Sequence, residues 1–199
     1  MYSSAVEQAL QASLAAHAGQ FRKGGARVPY VSHPVHVALI LARVGVEPVV
    51  IQAALLHDVV EDCEGWTTER VEVEFGAEVA ALVAVLTEPQ GESWEARKQL
   101  GLERAATMDP RAATVKAADK LHNLSSLLAA LRATSNPEDV WRSFSRGAEQ
   151  TLATSRLLVE ALVPRVDARL GEALLATIDA LDALSDSSSG DGDDPRISV

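Results

Sequence analysis

The stretch PVVIQAALLHDVVED, residues 48–62, decides how the chain reads. Val49, Val50, Ile51, Ala53, Ala54, Leu55 and Leu56 leave it almost no polar face, and a helix apolar on nearly all sides belongs at the centre of a domain. Pro48 suits the first turn of such a helix, which is expected to run from Pro48 to about Asp62. Yet the same stretch ends in His57-Asp58 and Glu61-Asp62, one imidazole and three carboxylates just where the chain is most deeply buried. Carboxylates taken out of water must protonate, meet a cation or turn back to solvent. Neighbouring His57 and Asp58 project about 100° apart on a helix, so both reach one ion only where the chain begins to change direction. A divalent cation would resolve the conflict.

Outward from this stretch, apolar residues recur at helical spacing almost everywhere, and no sustained alternation of period two marks a sheet. A first helix is expected from about Ser4 to Gln20, with Val6, Leu10, Leu14 and His17 on one stripe and Gly24-Gly25 as its stop signal. A short extended link, Arg27 to Ser32, leads to a second helix opened by Pro34 and closed by Gly45. Further helices are expected at Thr68–Glu74, Gly76–Leu86 and Trp94–Ala106. Asp109-Pro110 is a cap and first-turn pair for the next, and Asn136-Pro137 opens a long one that runs to Pro164. A last helix carries Leu170, Leu174, Ile178 and Leu181. The fold class is therefore all-α, a helical bundle over residues 1–184. Ser185 to Val199 is too polar and acidic to bury itself and is expected to be a disordered tail.

Composition narrows the function. The 199 residues carry 18 Lys plus Arg against 28 Asp plus Glu, a net charge of −10, which disfavours broad nucleic-acid binding, where phosphate neutralisation supplies most of the affinity. A local basic pocket for a small phosphorylated ligand fits that balance. Cys63 stands alone, so no internal disulfide forms, and the N-terminal stretch lacks the pattern of a secretory signal. A cytoplasmic setting is the expectation.

One His and one Asp make an incomplete metal site. His33, opening the second helix, and Asp119, inside a mostly apolar helix, are the best further ligands. Lys116, Asp119 and Asn123 stand at i−3, i and i+4 and share a face. Two imidazoles and two carboxylates suit Mn, Fe, Co or Zn, and ligand type does not choose among them. The bland alternatives are helix caps and surface ion pairs for the presumed ligands, and a solvated helix end for Glu61 and Asp62, although acidic groups there oppose the helix dipole. Arg22 and Lys23 could simply terminate the first helix. His17 is expected to be a hydrogen-bonded core histidine, His36, His122 and Cys63 structural, and Trp66, Trp94 and Trp141 packing residues.

His33, His57-Asp58 and Asp119 together match the H…HD…D pattern of the HD-domain metal-dependent phosphohydrolases. With Gln20-Phe21-Arg22-Lys23, Pro29-Tyr30-Val31-Ser32-His33-Pro34, Phe75-Gly76-Ala77-Glu78-Val79 and Lys116 to Asn123 at these intervals, roughly residues 5 to 160 resemble the hydrolase domain of the RelA/SpoT family, in the single-domain form of the small alarmone hydrolases. The resemblance implies an HD-type bundle with one Mn²⁺ held by His33, His57, Asp58 and Asp119. It implies catalysis by Glu61 and Asp62, which position and deprotonate the attacking water, and a nucleotide pocket holding Arg22, Lys23 and Asn123. Lys98 is a further candidate for compensating phosphate charge. The implied reaction removes the 3′-pyrophosphate of guanosine penta- or tetraphosphate, a small nucleotide substrate, without nucleic acid or membrane as partner.

The chain departs from the metazoan-type small hydrolases in the later long helix. A tyrosine and an arginine contact the ligand there, and Ser143 and Asp139 take their places here, with Arg142 and Arg146 close by to compensate. Two other readings stand beside the alarmone hydrolase: a phosphohydrolase acting on another nucleotide or a dinucleotide cofactor, and a nucleotide-sensing module without turnover. Fold does not choose among them. The sequence leaves the oligomeric state open.

Overall fold

In the computed structural model, residues 2–23 and 27–189 are described; the Gly24-Gly25 stop signal and residues 190–199 of the expected tail lie outside them. Among the described residues the chain is helical, with no β-strand. The helices are α1 (Ser4–Ala16), α2 (Ser32–Val44), α3 (Pro48–Leu56), α4 (Val59–Asp62), α5 (Thr68–Phe75), α6 (Ala77–Leu86), α7 (Trp94–Thr107), α8 (Pro110–Ala133), α9 (Pro137–Trp141), α10 (Gly147–Leu162) and α11 (Ala168–Ser189), with a single 3-10 turn at Val163–Arg165.

The polar signals in the sequence start these helices. Ser3, Thr67 and Ser93 accept hydrogen bonds from the backbone N–H of Val6, Arg70 and Ala96. Asp109 caps α8 by accepting from the Arg111 N–H at 2.7 Å, with Pro110 in the first turn. Each cap satisfies a donor that the helix itself leaves orphaned. Gly45 closes α2 in the left-handed conformation at φ +89°, where a Cβ would be strained.

Helix α3 lies in the middle, packed against α1, α2, α6 and α8. Ala53, Ala54 and Leu56 are fully buried, as the all-round apolar sequence requires. Complete burial of one leucine such as Leu56 contributes about 1.5–3 kcal/mol. The long helix α8 is the second axis, packed against α2, α3, α6, α10 and α11, and Ala112, Ala113, Val115, Ala117 and Ala118 keep its inner face narrow.

Four boundaries differ from expectation. The first helix stops at Ala16, because the chain turns at His17 and Gly19, the latter at φ +80°. The helix expected over 48–62 is two, since His57-Asp58 leaves the α-helical ladder between α3 and α4; the His57 ring bonds the Ala54 carbonyl at 2.7 Å inside this break. The long helix expected from Pro137 to Pro164 is broken between α9 and α10, where Gly147 takes φ +68°. At the other end α11 continues to Ser189, five residues into the segment expected to be disordered. Just before that segment Arg156 of α10 pairs with Asp179 and Asp182, and a helix anchored this way propagates at little cost per added residue.

Candidate active site

Three parts of the fold converge beside the break in the central helix. His33 enters from the first turn of α2, His57 and Asp58 from the α3–α4 junction, and Asp119 from the middle of α8. One ligand atom from each of His33, His57 and Asp58 lies within 4.8 Å of the others. Asp119 Oδ1 completes the group, 3.2 Å from His33 Nε2 and 3.9 Å from His57 Nε2. Asp58 Oδ1 lies 3.2 Å from His57 Nε2, and Asp58 Oδ2 3.6 Å from His33 Nε2. The change of direction that a shared ion requires comes as this break, within the stretch expected to be helical to Asp62, and lets adjacent His57 and Asp58 face one point.

The histidines are prepared for a cation. His57 donates from Nδ1 to the Ala54 carbonyl at 2.7 Å, so a neutral ring presents a lone pair at Nε2. That buried Nε2 has no hydrogen-bond partner and faces carboxylate oxygens, an arrangement that a proton or a metal ion relieves. His33 Nδ1 meets His122 Nδ1 at 2.8 Å, and a single proton is shared between them. Burial holds the His122 pKa down at about 4, so His122 is a neutral ring at physiological pH. When it accepts from His33, the Nε2 of His33 is left as a lone pair toward the cluster. The nitrogen and oxygen donor set fits a first-row divalent ion. Burial alone would raise the pKa of Asp119; in the other tautomer, with the shared proton on His122 and His33 Nε2 protonated toward Asp119 Oδ1, that hydrogen bond and the Lys116 charge at 3.7 Å outweigh burial and hold the carboxyl below its usual range.

The two acidic residues of α4 part company. Asp62 lines a cavity of about 1030 Å³, and its Oδ2 lies 3.1 Å from the Tyr30 hydroxyl. Glu61 turns the other way and accepts from the Glu88 backbone N–H at 3.1 Å. Burial pushes the Glu61 carboxyl up; the Glu88 N–H opposes this, and the charges of Glu88, Asp62 and Asp58 add to it.

The expected substrate contacts surround the same cleft. Arg22 Nη2 donates to Asn123 Oδ1 at 2.9 Å, and Asn123 Nδ2 donates to Asp119 Oδ1 at 2.6 Å, so a short relay joins a cation at the cavity to the buried cluster. The larger cavity takes in Arg22, Lys23, Tyr30 and Asn123; a second of about 470 Å³ takes in Lys98, Lys116, Asp119 and Lys120, and both share Lys23, Lys120 and Asn123. Lys98 is tied to Glu88 at 2.8 Å. Burial lowers the Lys120 pKa to about 8, with Asp119 opposing the shift and Lys116 and Lys98 adding to it. Asp139 and Ser143 both line the larger cavity. Of the two arginines expected to compensate, Arg146 lines the smaller one, held by Glu95 with its guanidinium over Trp94, whereas Arg142 is solvent-exposed and bonded to Asp139.

His17 is a buried histidine, its Nδ1 2.7 Å from Gln20 Oε1 and 3.3 Å from Cys63 Sγ. Two residues at the site carried no functional signal of their own in the sequence. Tyr30 sits in the quoted Pro29–Pro34 motif but gains its partners only through folding, and His122, expected to be structural, stands at i+3 from Asp119, a spacing that could have placed it beside the cluster.

An all-helical bundle with this His-Asp cluster at a broken central helix defines an HD domain. The HD-domain family model matches residues 9–146, and the chain belongs to that family. Its relatives give the resemblance a sharper outline. It is 45% identical over 113 residues to the human guanosine-3′,5′-bis(diphosphate) 3′-pyrophosphohydrolase MESH1, a match covering 56% of this chain and 63% of that protein. It is 39% identical over 128 residues to a probable GTP pyrophosphokinase of Mycobacterium leprae, covering 62% of this chain and 16% of that one. The chain thus covers less than two thirds of either relative's length. Among solved structures, a metazoan orthologue of SpoT that hydrolyses ppGpp superposes with a TM-score of 0.76 at 32% identity, over 90% of this chain and 96% of that one.

Proposed function

We propose that this chain is a Mn²⁺-dependent hydrolase that removes the 3′-pyrophosphate of guanosine 3′,5′-bis(diphosphate) and its pentaphosphate analogue, leaving GDP or GTP. The observation that carries the reading is the buried lone pair of His57 Nε2, facing Asp58 and Asp119 within a few ångströms of a cation-lined cleft. Similarity to alarmone hydrolases supports the choice of substrate.

His33, His57, Asp58 and Asp119 would hold the ion. When bound, it supplies Lewis-acid polarisation of a phosphoryl oxygen and a lowered pKa for water. The remaining work falls to side chains. Water oxygen bonds to the phosphorus carried on the 3′ oxygen, the P–O3′ bond breaks, pyrophosphate departs and the 3′ oxygen takes up a proton. Asp62 would accept the water's proton, a role its position on the cavity wall supports. Glu61, its carboxyl raised by burial, turns away from the cavity and fixes α4, and with it Asp62, to the Glu88 backbone. Arg22, Lys23, Lys98, Lys116 and Lys120 compensate phosphate charge, the main demand of phosphoryl transfer. The unpaired thiol of Cys63 supports a reducing, cytoplasmic setting.

The test is incubation of Mn²⁺-loaded protein with guanosine 3′,5′-bis(diphosphate), beside ordinary nucleotides and a dinucleotide phosphate, with products resolved by anion exchange. GDP and pyrophosphate, lost in Asp62→Asn, are expected. Survival of the alarmone while another substrate releases phosphate would move the chain to a different HD phosphohydrolase. Binding without any product would make it a sensing module.

A further inference from the structure

We propose that Tyr30 is a positioning residue of this site, its hydroxyl tying the metal-side carboxylate of Asp58 to Asp62 so that Asp62 stays aimed at the attacking water. The inference deepens the hydrolase reading and rests on it. Tyr30 Oη lies 2.6 Å from Asp58 Oδ2 and 3.1 Å from Asp62 Oδ2, so its one proton, donated chiefly to Asp58, is shared with Asp62 in a three-centre bond between the carboxylates at the two ends of the short α4. The two oxygens of Asp58 are thereby given separate tasks. Oδ2 accepts from Tyr30, and Oδ1 remains toward His57 Nε2 at 3.2 Å.

Tyr30 is itself held from every direction. Its N–H donates to the Gln20 carbonyl and its own carbonyl accepts from the His33 N–H, each at 2.9 Å. Its ring lies 4.8 Å from the His17 ring and meets the edge of His33 at 6.0 Å, with the Arg22 guanidinium 5.6 Å from its centre. The Phe21–Pro29 bridge closes the loop from which it projects. That loop also grips the main chain of Asp62, because Gln20 Nε2 donates to the Asp62 carbonyl at 2.8 Å. Among the described residues Tyr30 is the one hydrogen-bond partner of the Asp62 carboxylate. Without the hydroxyl, the carboxylate keeps its backbone anchor and loses its aim.

The decisive variant is Tyr30→Phe in the full chain, which keeps the ring against His17 and Arg22. At saturating Mn²⁺, kcat for pyrophosphate release is expected to fall about 10- to 100-fold, with KM within about 3-fold, the range in which such supporting partners act. Mn²⁺ affinity, read by calorimetry without substrate, is expected to weaken about 10-fold while one ion still binds per chain. Because the hydroxyl acts through Asp62, Tyr30→Phe added to Asp62→Asn should cost less than about 3-fold more. A kcat within 2-fold of the parent, or a loss that multiplies in full on the Asp62→Asn background, would overturn the proposal. Should the parent chain itself fail to release pyrophosphate, the hydrolase reading falls, and the Mn²⁺ titration alone decides Tyr30: unchanged affinity in Tyr30→Phe removes it from the site.

Discussion

Binding of Mn²⁺ should raise the melting temperature of the chelator-stripped protein by about 5–11 °C at a free ion concentration 100 times Kd. The four expected ligands come from α2, the α3–α4 junction and α8, three parts of the fold that an unfolded chain does not hold together. An ion that binds the native state alone therefore stabilises it by RT ln(1 + [L]/Kd), about 2.7 kcal/mol at that excess. For a domain of this size each kcal/mol moves the midpoint by about 2–4 °C, which gives the stated range. Residual affinity of the adjacent His57-Asp58 pair in the unfolded chain pulls the value toward the lower end. The assay is a thermal melt across a Mn²⁺ titration, with Kd fixed independently by calorimetry. Mg²⁺, which prefers oxygen ligands and keeps its waters, should give a smaller shift at the same concentration. Asp58→Ala should abolish the shift, as should His57→Ala. A shift below 2 °C at calorimetric saturation, or an undiminished one in either variant, would refute the placement of the ion.

The remaining expectations divide the site by role. Asp62→Asn should keep the Mn²⁺-induced shift while kcat falls by about 10²- to 10⁴-fold, read as pyrophosphate release; Glu61→Gln, whose amide oxygen still accepts from the Glu88 N–H, should cost less than about 10-fold. Arg22→Ala breaks the bond to Asn123 and removes a charge from the cavity; a charged hydrogen bond of about 1.5–3 kcal/mol corresponds to a KM raised roughly 10- to 100-fold in steady-state kinetics. His122→Phe leaves His33 Nδ1 without its partner and should weaken Mn²⁺ binding about 10-fold or more by calorimetry. At Glu88, burial raises the carboxyl pKa, but the Lys98 hydrogen bond with the charges of Lys98, Lys116 and Arg97 leaves it below the ordinary 4.5. Its stabilisation is thus present above that value and lost as pH falls through the folded-state pKa, so the melting difference between the parent and Glu88→Gln should narrow from pH 6 toward pH 3.

The sequence displayed the core openly and the site partly. An apolar helix without a polar face had to be central, and α3 is; capping pairs such as Asp109-Pro110 start helices where they stand. What stayed hidden is non-local. Nothing in HDVVED favours a break at His57-Asp58, since each residue there is compatible with helix. The break is set by partners elsewhere, from Tyr30 28 positions away to Asp119 on α8. His33 and His122 are 89 residues apart and meet only because α2 packs on α8. The division between α9 and α10 did have a local signal in Gly147, whose positive φ an L side chain would resist, but the apolar period across it reads straight through.

The same distinction between local and global settles an apparent contradiction of charge. A chain of net charge −10 should repel a polyanionic nucleotide, and over distances beyond about 8–10 Å in physiological salt that repulsion is screened away. A ligand arriving at the site would meet a cleft whose acidic floor, Asp62 and Asp119, backed by Asp58 behind the Tyr30 hydroxyl, is rimmed by Arg22, Lys23, Lys116 and Lys120. Without a cation the floor cancels much of the rim, and the buried lone pair of His57 has nothing to bind. On the proposed reading, a divalent ion seated there would turn a nearly balanced site strongly positive at the point where phosphate must sit. If the proposed function holds, the ion is as much a condition of substrate binding as of catalysis, and chelation should raise the dissociation constant of a nucleotide product such as GDP as well as halt turnover.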